Sequence, residues 1–412
     1  MSEGFRPTKL LHGSAWILVG LAIQSVLGFV FWFVASRVAS SDAVGNASAL
    51  YTAIQFINYA SGLGLTVALA RFAVDRSSDA DSLLGWSVLA TIVSSFVGGS
   101  LYLLVSNSEA TDLVSGSVLS WLIFCTYTAG MSVWLVLDVR LMAAGQWAAL
   151  VTRIAVCGLV RLPLVGLDVA MSDDSWLYHL MLAPLAAGGF VMMFLLPRLD
   201  AGRLKLSKPK SIEVFSRYAG VNWVATLASQ APQFVLPLIV AQQVAPSINA
   251  SFFLAWTLTG MVLLLPGAIS QVLLVEGSKD LSEADNRARE AFKFSLALAV
   301  LAWLGSLVAG PVAAAVFGSD YKRIGTLLPA LMFAGIPWAI TSVRLSETRI
   351  RRDSFATMAM TATLGIGIVV PAVLTIGSGG TDAAVRAFVG GNIAAAVVAI
   401  ATHRRATRQA QI

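Results

Sequence analysis

The chain has 412 residues, 57% of them apolar and 12% charged, with a mean hydropathy of +0.78. A water-soluble domain of this composition would lack the polar surface to cover itself, so lipid is the solvent for most of the chain. The formal charge of +6 is spread over short connecting segments, which argues against a nucleic-acid partner and for loops facing anionic lipid headgroups.

Crossing the hydrocarbon takes about 20 apolar residues in a helix. Twelve such runs follow one another, at 14–36, 46–70, 84–105, 116–137, 148–170, 176–197, 217–244, 248–275, 291–317, 325–346, 354–376 and 383–403. The stretch LLGWSVLATIVSSFVGGSLYLLV from Leu83 is apolar on every face, as a lipid-embedded helix is and an alternating barrel strand is not. The expected fold class is therefore all-α and polytopic.

Short cytoplasmic loops collect Lys and Arg, and this division sorts them. Arg6, Lys9, Arg71, Arg76, Arg140, the group from Arg198 to Arg217, the group from Lys279 to Lys293, Arg349, Arg351, Arg352 and the Arg404–Arg408 tail fall on one side. Arg37, Lys322, Arg323 and Arg386 fall on the other. The pattern predicts a multi-pass plasma-membrane (inner-membrane) protein with both termini cytoplasmic. The first run is long and has no small-residue cleavage site, so it is expected to stay as a span.

The polar segment RLDAGRLKLSKPKSIEVFSR from Arg198 separates six runs from six. It predicts an N-terminal lobe over 1–200, a cytoplasmic linker over 201–216 and a C-terminal lobe over 217–412. The stretch from Val34 to Ala39 is matched by that from Val240 to Ala245, with Gln24 falling on Gln230, and Asn46-Ala47-Ser48 by Asn249-Ala250-Ser251. These matches favour a duplicated bundle whose halves are related by an axis along the membrane normal.

Ionisable side chains deep in a span are costly and mark function by default. Arg161 lies just past the centre of the fifth run, too deep to snorkel, and should face a polar cavity or a partner. Arg153 is eight residues earlier, about 12 Å below and rotated by about 80°, so both can line one side of a cavity. Asp168, seven residues after Arg161, is nearly on its face; the plainer reading is that Arg161 pairs with Asp168 or with carbonyls and only fixes packing. Arginine suits phosphate because its planar fork donates two parallel hydrogen bonds and keeps its charge when desolvated. Pro163 can kink the fifth run.

Gln24 in the first run and Asn222, Gln230 and Gln233 in the seventh are mid-membrane amides. Such groups join helices or meet the hydroxyls of a sugar. Asp138 and Arg140 close the fourth run and Arg71 the second, as interfacial anchors or gate pairs. Arg344 and Glu347, three apart, suit a local ion pair. Cys125 and Cys157 read as apolar packing residues. The three histidines are scattered, no GxxxxGK[ST] loop occurs, and no nucleophile stands beside a base. No cofactor, metal or catalysis is expected, and a driving force would come from an ion gradient, the membrane potential or substrate consumption.

The opening KLLHGSAWILVGLAIQSVLGFVFWFVASRVAS and the following SGLGLTVALARFAVD resemble the first two spans of bacterial polysaccharide transporters, the oligosaccharide flippases. Their superfamily also holds multidrug and toxin extruders and the lipid II flippase. VLDVRLMAAGQWAALVTRIAVCGLVRLPLV resembles an actinobacterial branch of lipopolysaccharide biosynthesis proteins. The resemblance implies two six-helix lobes around a central cavity that opens alternately to each face. It implies an undecaprenyl-diphosphate-linked oligosaccharide as cargo, turned to the outer leaflet for surface polysaccharide, with Arg153 and Arg161 on the diphosphate. A polysaccharide polymerase and glycosyltransferases would be partners beside the bilayer. This chain departs from the family in having no charge in the first run and, in the C-terminal lobe, only Arg344 near its inner edge to charge the cavity.

Two rivals stand against this reading. A cation-coupled multidrug exporter of the same superfamily wants deep acidic residues, whereas the deep charges here are basic. A membrane enzyme of envelope polysaccharide synthesis wants a folded outer segment, whereas the longest outer connections are SNSEATDLVSG and GSGGTDAAVRA.

Overall fold

A computed structural model describes residues 7–72, 78–166, 175–279, 284–351 and 353–409. Among them every regular element is a helix: α1 (Pro7–Val38), α2 (Ser41–Ser61), α3 (Leu65–Phe72), α4 (Ser78–Val105), α5 (Glu109–Ser115), α6 (Val118–Ala143), α7 (Trp147–Val165) and α8 (Trp176–Leu195), then α9 (Ile212–Gln243), α10 (Pro246–Lys279), α11 (Ala284–Phe317), a 3₁₀ turn (Ser319–Tyr321), α12 (Ile324–Phe333), α13 (Gly335–Ile350) and α14 (Ser354–Gln409). Nine helices among the described residues are long and apolar enough to cross a membrane, and the bent α2–α3 pair makes a tenth. The protein is a polytopic, all-α membrane protein.

Each of the twelve apolar runs falls on these helices over its described residues, 167–170 of the fifth lying outside them, but three boundaries have a cause that hydropathy does not carry. The second run is broken into α2 and α3 at an angle of 47°. Leu63 and Gly64 there take φ of 46° and 67°, a region that costs a side chain strain and glycine little. A Cβ on Gly64 would also lie 2.1 Å from the Ala219 carbonyl oxygen, so the break lets α2–α3 press against the start of α9. Trp223 secures the contact by donating its indole N–H to the Ala60 carbonyl at 2.7 Å. The tenth run is interrupted at Ala334, between α12 and α13. The eleventh and twelfth share α14, which breaks only at Gly380, at φ 54° and ψ −143°. Pro163, expected as a kink, stands in the last turn of α7, whose end is at Val165.

The chain divides into two compact units, Met1–Leu227 and Ala228–Ile412, and the division falls inside α9. In the first unit, α6 and α8 cross with backbones touching: a Cβ on Gly189 would lie 2.0 Å from the Gly130 carbonyl oxygen. Small residues permit such approach where lipid offers helices no hydrophobic drive to associate. Leu83, Leu84, Val136, Leu137, Leu196 and Phe215 form part of this unit's core.

The polar segment after α8 is strapped over the start of α4. The Asp79 carboxylate accepts from the Lys210 backbone N–H and the Ser211 hydroxyl, each at 2.7 Å. Asp81 accepts from the Arg203 backbone N–H at 3.0 Å and pairs with Lys205 at 3.1 Å. Trp86 donates to the Ser207 carbonyl at 3.2 Å. Gly85 admits the strap, since a Cβ there would lie 2.1 Å from the Lys205 carbonyl oxygen.

In the second unit, α10 and α13 are joined by Trp338 donating to the Leu263 carbonyl and Ser346 to the Ser270 carbonyl, at 3.2 and 2.7 Å. Arg344 meets Glu347 on the same face of α13, as their spacing predicts, and also His403 of α14 at 3.0 Å.

Candidate functional site

The two deep arginines lie on α7, in the first unit, and the fold gives them different surroundings. Arg153 is 6% exposed. Its guanidinium stands over the Trp134 ring at 4.0 Å from the centroid, and Nη2 donates to Asp138 Oδ2 at 2.8 Å, with Oδ1 at 2.7 Å. Trp134 and Asp138 are four residues apart on α6, so one helix face supplies both the stacking surface and the counter-charge. This charge is committed within the protein.

Arg161 lies about two turns further along α7 and is 5% exposed. Phe31 of α1 covers it, with the ring centroid 5.5 Å from the guanidinium carbon. Its electrostatic neighbours are Tyr51 and Cys157. Its Nε has no hydrogen-bond partner, and no described carboxylate lies within ion-pair distance. Asp168, the expected partner, lies outside the described residues. Of the two arginines expected to line one cavity, only Arg161 therefore keeps a positive charge uncompensated by described groups, and it does so under an aromatic cover, not at an open surface.

The residues expected at the edges also separate. Asp138 pairs with Arg153. Arg140 is 3% exposed and donates from Nε to the Ala201 carbonyl at 2.8 Å, so it fastens the strap. The reason is that residues 196–205 fold back over the end of α6, which burial along one run does not foretell. Arg71 is exposed and lies over the Tyr218 ring at 4.7 Å from the centroid, tying α3 to α9.

The four amides divide between the two units, Gln24 and Asn222 in the first and Gln230 and Gln233 in the second. Gln24 on α1 and Gln233 on α9 are exposed, and Asn222 and Gln230 half-buried. Asn222 bonds back to its own helix, donating to the Tyr218 carbonyl at 2.8 Å. Neither Gln24 nor Asn222, which share the first unit with Arg161, is hydrogen-bonded to it.

A second polar feature lies in YTAIQFINYAS of the second run. The spacing of Tyr51, Gln55, Asn58 and Tyr59 places all four along one side of α2. Gln55 donates to the Tyr51 hydroxyl at 3.2 Å, and the Gln55 and Asn58 amides are 3.4 Å apart. Asn58 is buried. Its amide nitrogen donates to the Ser132 hydroxyl at 2.7 Å and to the Thr128 and Ile54 carbonyls, each at 3.2 Å. Ser132 in turn donates to the Thr128 carbonyl at 2.9 Å. Polar side chains thus follow one another along this side of α2, where Gln55 bonds to Tyr51 and Asn58 ties the helix to α6. Among the described residues no group of three or more His, Cys, Asp or Glu is placed to hold a metal ion.

No family model and no curated protein matches this chain. Solved structures do. A lipid II flippase, MurJ, in an inward closed conformation is similar with a TM-score of 0.74 and 12% identity, over 94% of this chain and 87% of that one. An inward-facing multidrug resistance MATE transporter of the MOP superfamily follows at 0.70 and 15%, over 94% and 97%. A MOP superfamily transporter from Pyrococcus furiosus, described by a binding pocket of reverse polarity, gives 0.55 and 13%, over 96% and 95%. At these identities the likeness establishes a shared fold.

Proposed function

We propose that this chain is a flippase that moves an undecaprenyl-diphosphate-linked oligosaccharide from the cytoplasmic to the outer leaflet of the plasma membrane, by alternating access, for assembly of a surface polysaccharide. The observation that carries the reading is Arg161: a guanidinium deep in a span, with no described carboxylate to neutralise it. Holding an ion out of water costs several kcal/mol, and an arriving anion would repay that cost. A diphosphate offers the oxygens that a planar guanidinium fork engages in parallel. Phe31 covers the site; a shift of α1 against α7, or a turn of that ring, opens it to the cargo.

The fold shared with a structure named as a lipid II flippase and the resemblance of the first two spans to oligosaccharide flippases support the same reading. The multidrug extruders share the fold too. Cation export, however, wants a free deep carboxylate, and Asp138 is engaged by Arg153. A polysaccharide polymerase and glycosyltransferases are the proposed partners, and both termini are placed in the cytoplasm by the charge sorting.

The test is reconstitution in proteoliposomes with a fluorescent undecaprenyl-diphosphate oligosaccharide, read by accessibility to an impermeant quencher. The native chain is expected to flip it. Arg161→Gln is expected to lower the rate about tenfold or more, since one charge-assisted hydrogen bond is worth about 1.5–3 kcal/mol, and Arg161→Lys to fall between. An Arg161→Gln rate equal to the native one removes Arg161 from the site. Export of a cationic dye with no movement of glycolipid transfers the protein to the exporter reading.

A further inference from the structure

We propose that the strap over α4 is a binding site for an anionic phospholipid of the inner leaflet, with Arg203, Lys208 and Lys210 on the headgroup phosphate and Leu206 among the acyl chains. The inference is independent of the cargo and of Arg161.

A basic segment beside two carboxylates would ordinarily turn its side-chain charges onto them. Asp79 and Asp81 instead take the backbone N–H groups of Lys210 and Arg203, and Lys205 alone of the strap's cations forms an ion pair, with Asp81. Arg140 and Trp86 likewise hold backbone carbonyls, those of Ala201 and Ser207. The strap is thus fastened by its main chain. Arg203, Lys208 and Lys210 are exposed, with no carboxylate within ion-pair distance. Cations fixed on so short a segment repel one another, and an arriving anion relieves that repulsion. Because the main chain is already held, little ordering is left to oppose binding.

The apolar contacts say where the anion comes from. Trp86, Leu89, Val93, Val97 and Leu101 are exposed along one face of α4, and such a row of large apolar side chains on a span faces hydrocarbon. Trp86 is the first of them, at the end of α4 that the charge sorting places in the cytoplasm, and its N–H reaches the Ser207 carbonyl at 3.2 Å. Indole rings settle at the headgroup level, where one end is apolar and the other wet. The strap at Ser207 therefore runs along the lipid boundary of the first unit. Leu206, next to it in the chain, is 62% exposed, and acyl chains accept a side chain that water penalises. Lys208, on the other side of Ser207, then stands in a layer whose phosphates are negative. A soluble acidic partner would use the charges and leave Leu206 and Trp86 in water.

The test uses the full chain purified in a mild detergent and titrated with phosphatidylglycerol or phosphatidylcholine of the same acyl chains, bound lipid being counted by native mass spectrometry. The native protein is expected to bind phosphatidylglycerol about tenfold or more tightly than phosphatidylcholine. Each basic residue near a membrane surface contributes about fivefold, so Arg203→Gln with Lys208→Gln is expected to weaken phosphatidylglycerol about twenty-fivefold and leave phosphatidylcholine unchanged. Leu206→Ser should weaken both lipids. Arg289→Gln with Lys293→Gln removes the same charge from another exposed segment and should change little; an equal loss from the two pairs would mean diffuse attraction and overturn the site. The melting temperature without added lipid should stay native in the strap variants, because the main chain does the fastening. A fall of several degrees would show that these side chains serve the fold, and overturns the assignment. Undecaprenyl phosphate binding more tightly than phosphatidylglycerol, and lost in the same variants, would make the strap a cargo site and overturn the phospholipid.

Discussion

Arg153 and Arg161 are the same residue type on the same helix, yet only one has its charge answered. Asp138 on α6 meets Arg153 at hydrogen-bond distance, and Trp134 lies under it. Removing one member of a buried pair strands the other charge, at about 3–5 kcal/mol, whereas replacing both by apolar groups of similar size is often neutral. Asp138→Asn is therefore expected to lower the unfolding temperature in detergent sharply, and Asp138→Leu with Arg153→Met to recover most of the loss. A double-mutant cycle with no coupling energy would mean that the pair contributes nothing to stability. The partner of Arg153 was out of reach from the sequence, because Asp138 sits on another helix whose rotation no spacing rule fixes.

Helix packing in the first unit depends on glycines where two backbones meet. Gly189→Leu would drive a side chain into the Gly130 carbonyl of α6, so it is expected to lower thermal stability strongly. Gly390→Ala, with nothing within 4 Å of a new Cβ, should change it little; equal effects would show that the α6–α8 contact is looser than described. The strap gives a related expectation. Gly85→Val cannot coexist with the Lys205 backbone 2.1 Å away, so the segment should lift and expose Arg203 and Lys205 to trypsin. Unchanged cleavage would show that it docks without that contact.

For the molecule as a whole, the charge sorting predicts which connections face the cytoplasm. Cys125 and Cys157 are buried, so an introduced thiol can be labelled over little background. An impermeant maleimide is expected to label Asn107→Cys in intact cells, and Lys208→Cys only after permeabilisation. The reverse pattern would invert the topology.

Legibility in the sequence followed from the solvent. Hydrocarbon has a fixed thickness and tolerates no unpaired backbone, so length and apolarity alone marked twelve runs, and helices occupy the described part of each. The breaks at Gly64 and Gly380 were hidden because hydropathy averages over side chains and carries no backbone dihedral. Helix rotation was hidden for a deeper reason. Lipid is as apolar as the protein interior, so a span such as α4 shows no polar face to tell inside from outside. That Asp138 on α6 answers Arg153, that Arg140 fastens the strap, and that Arg161 meets no described carboxylate were decided only when tertiary packing turned each helix against its neighbours.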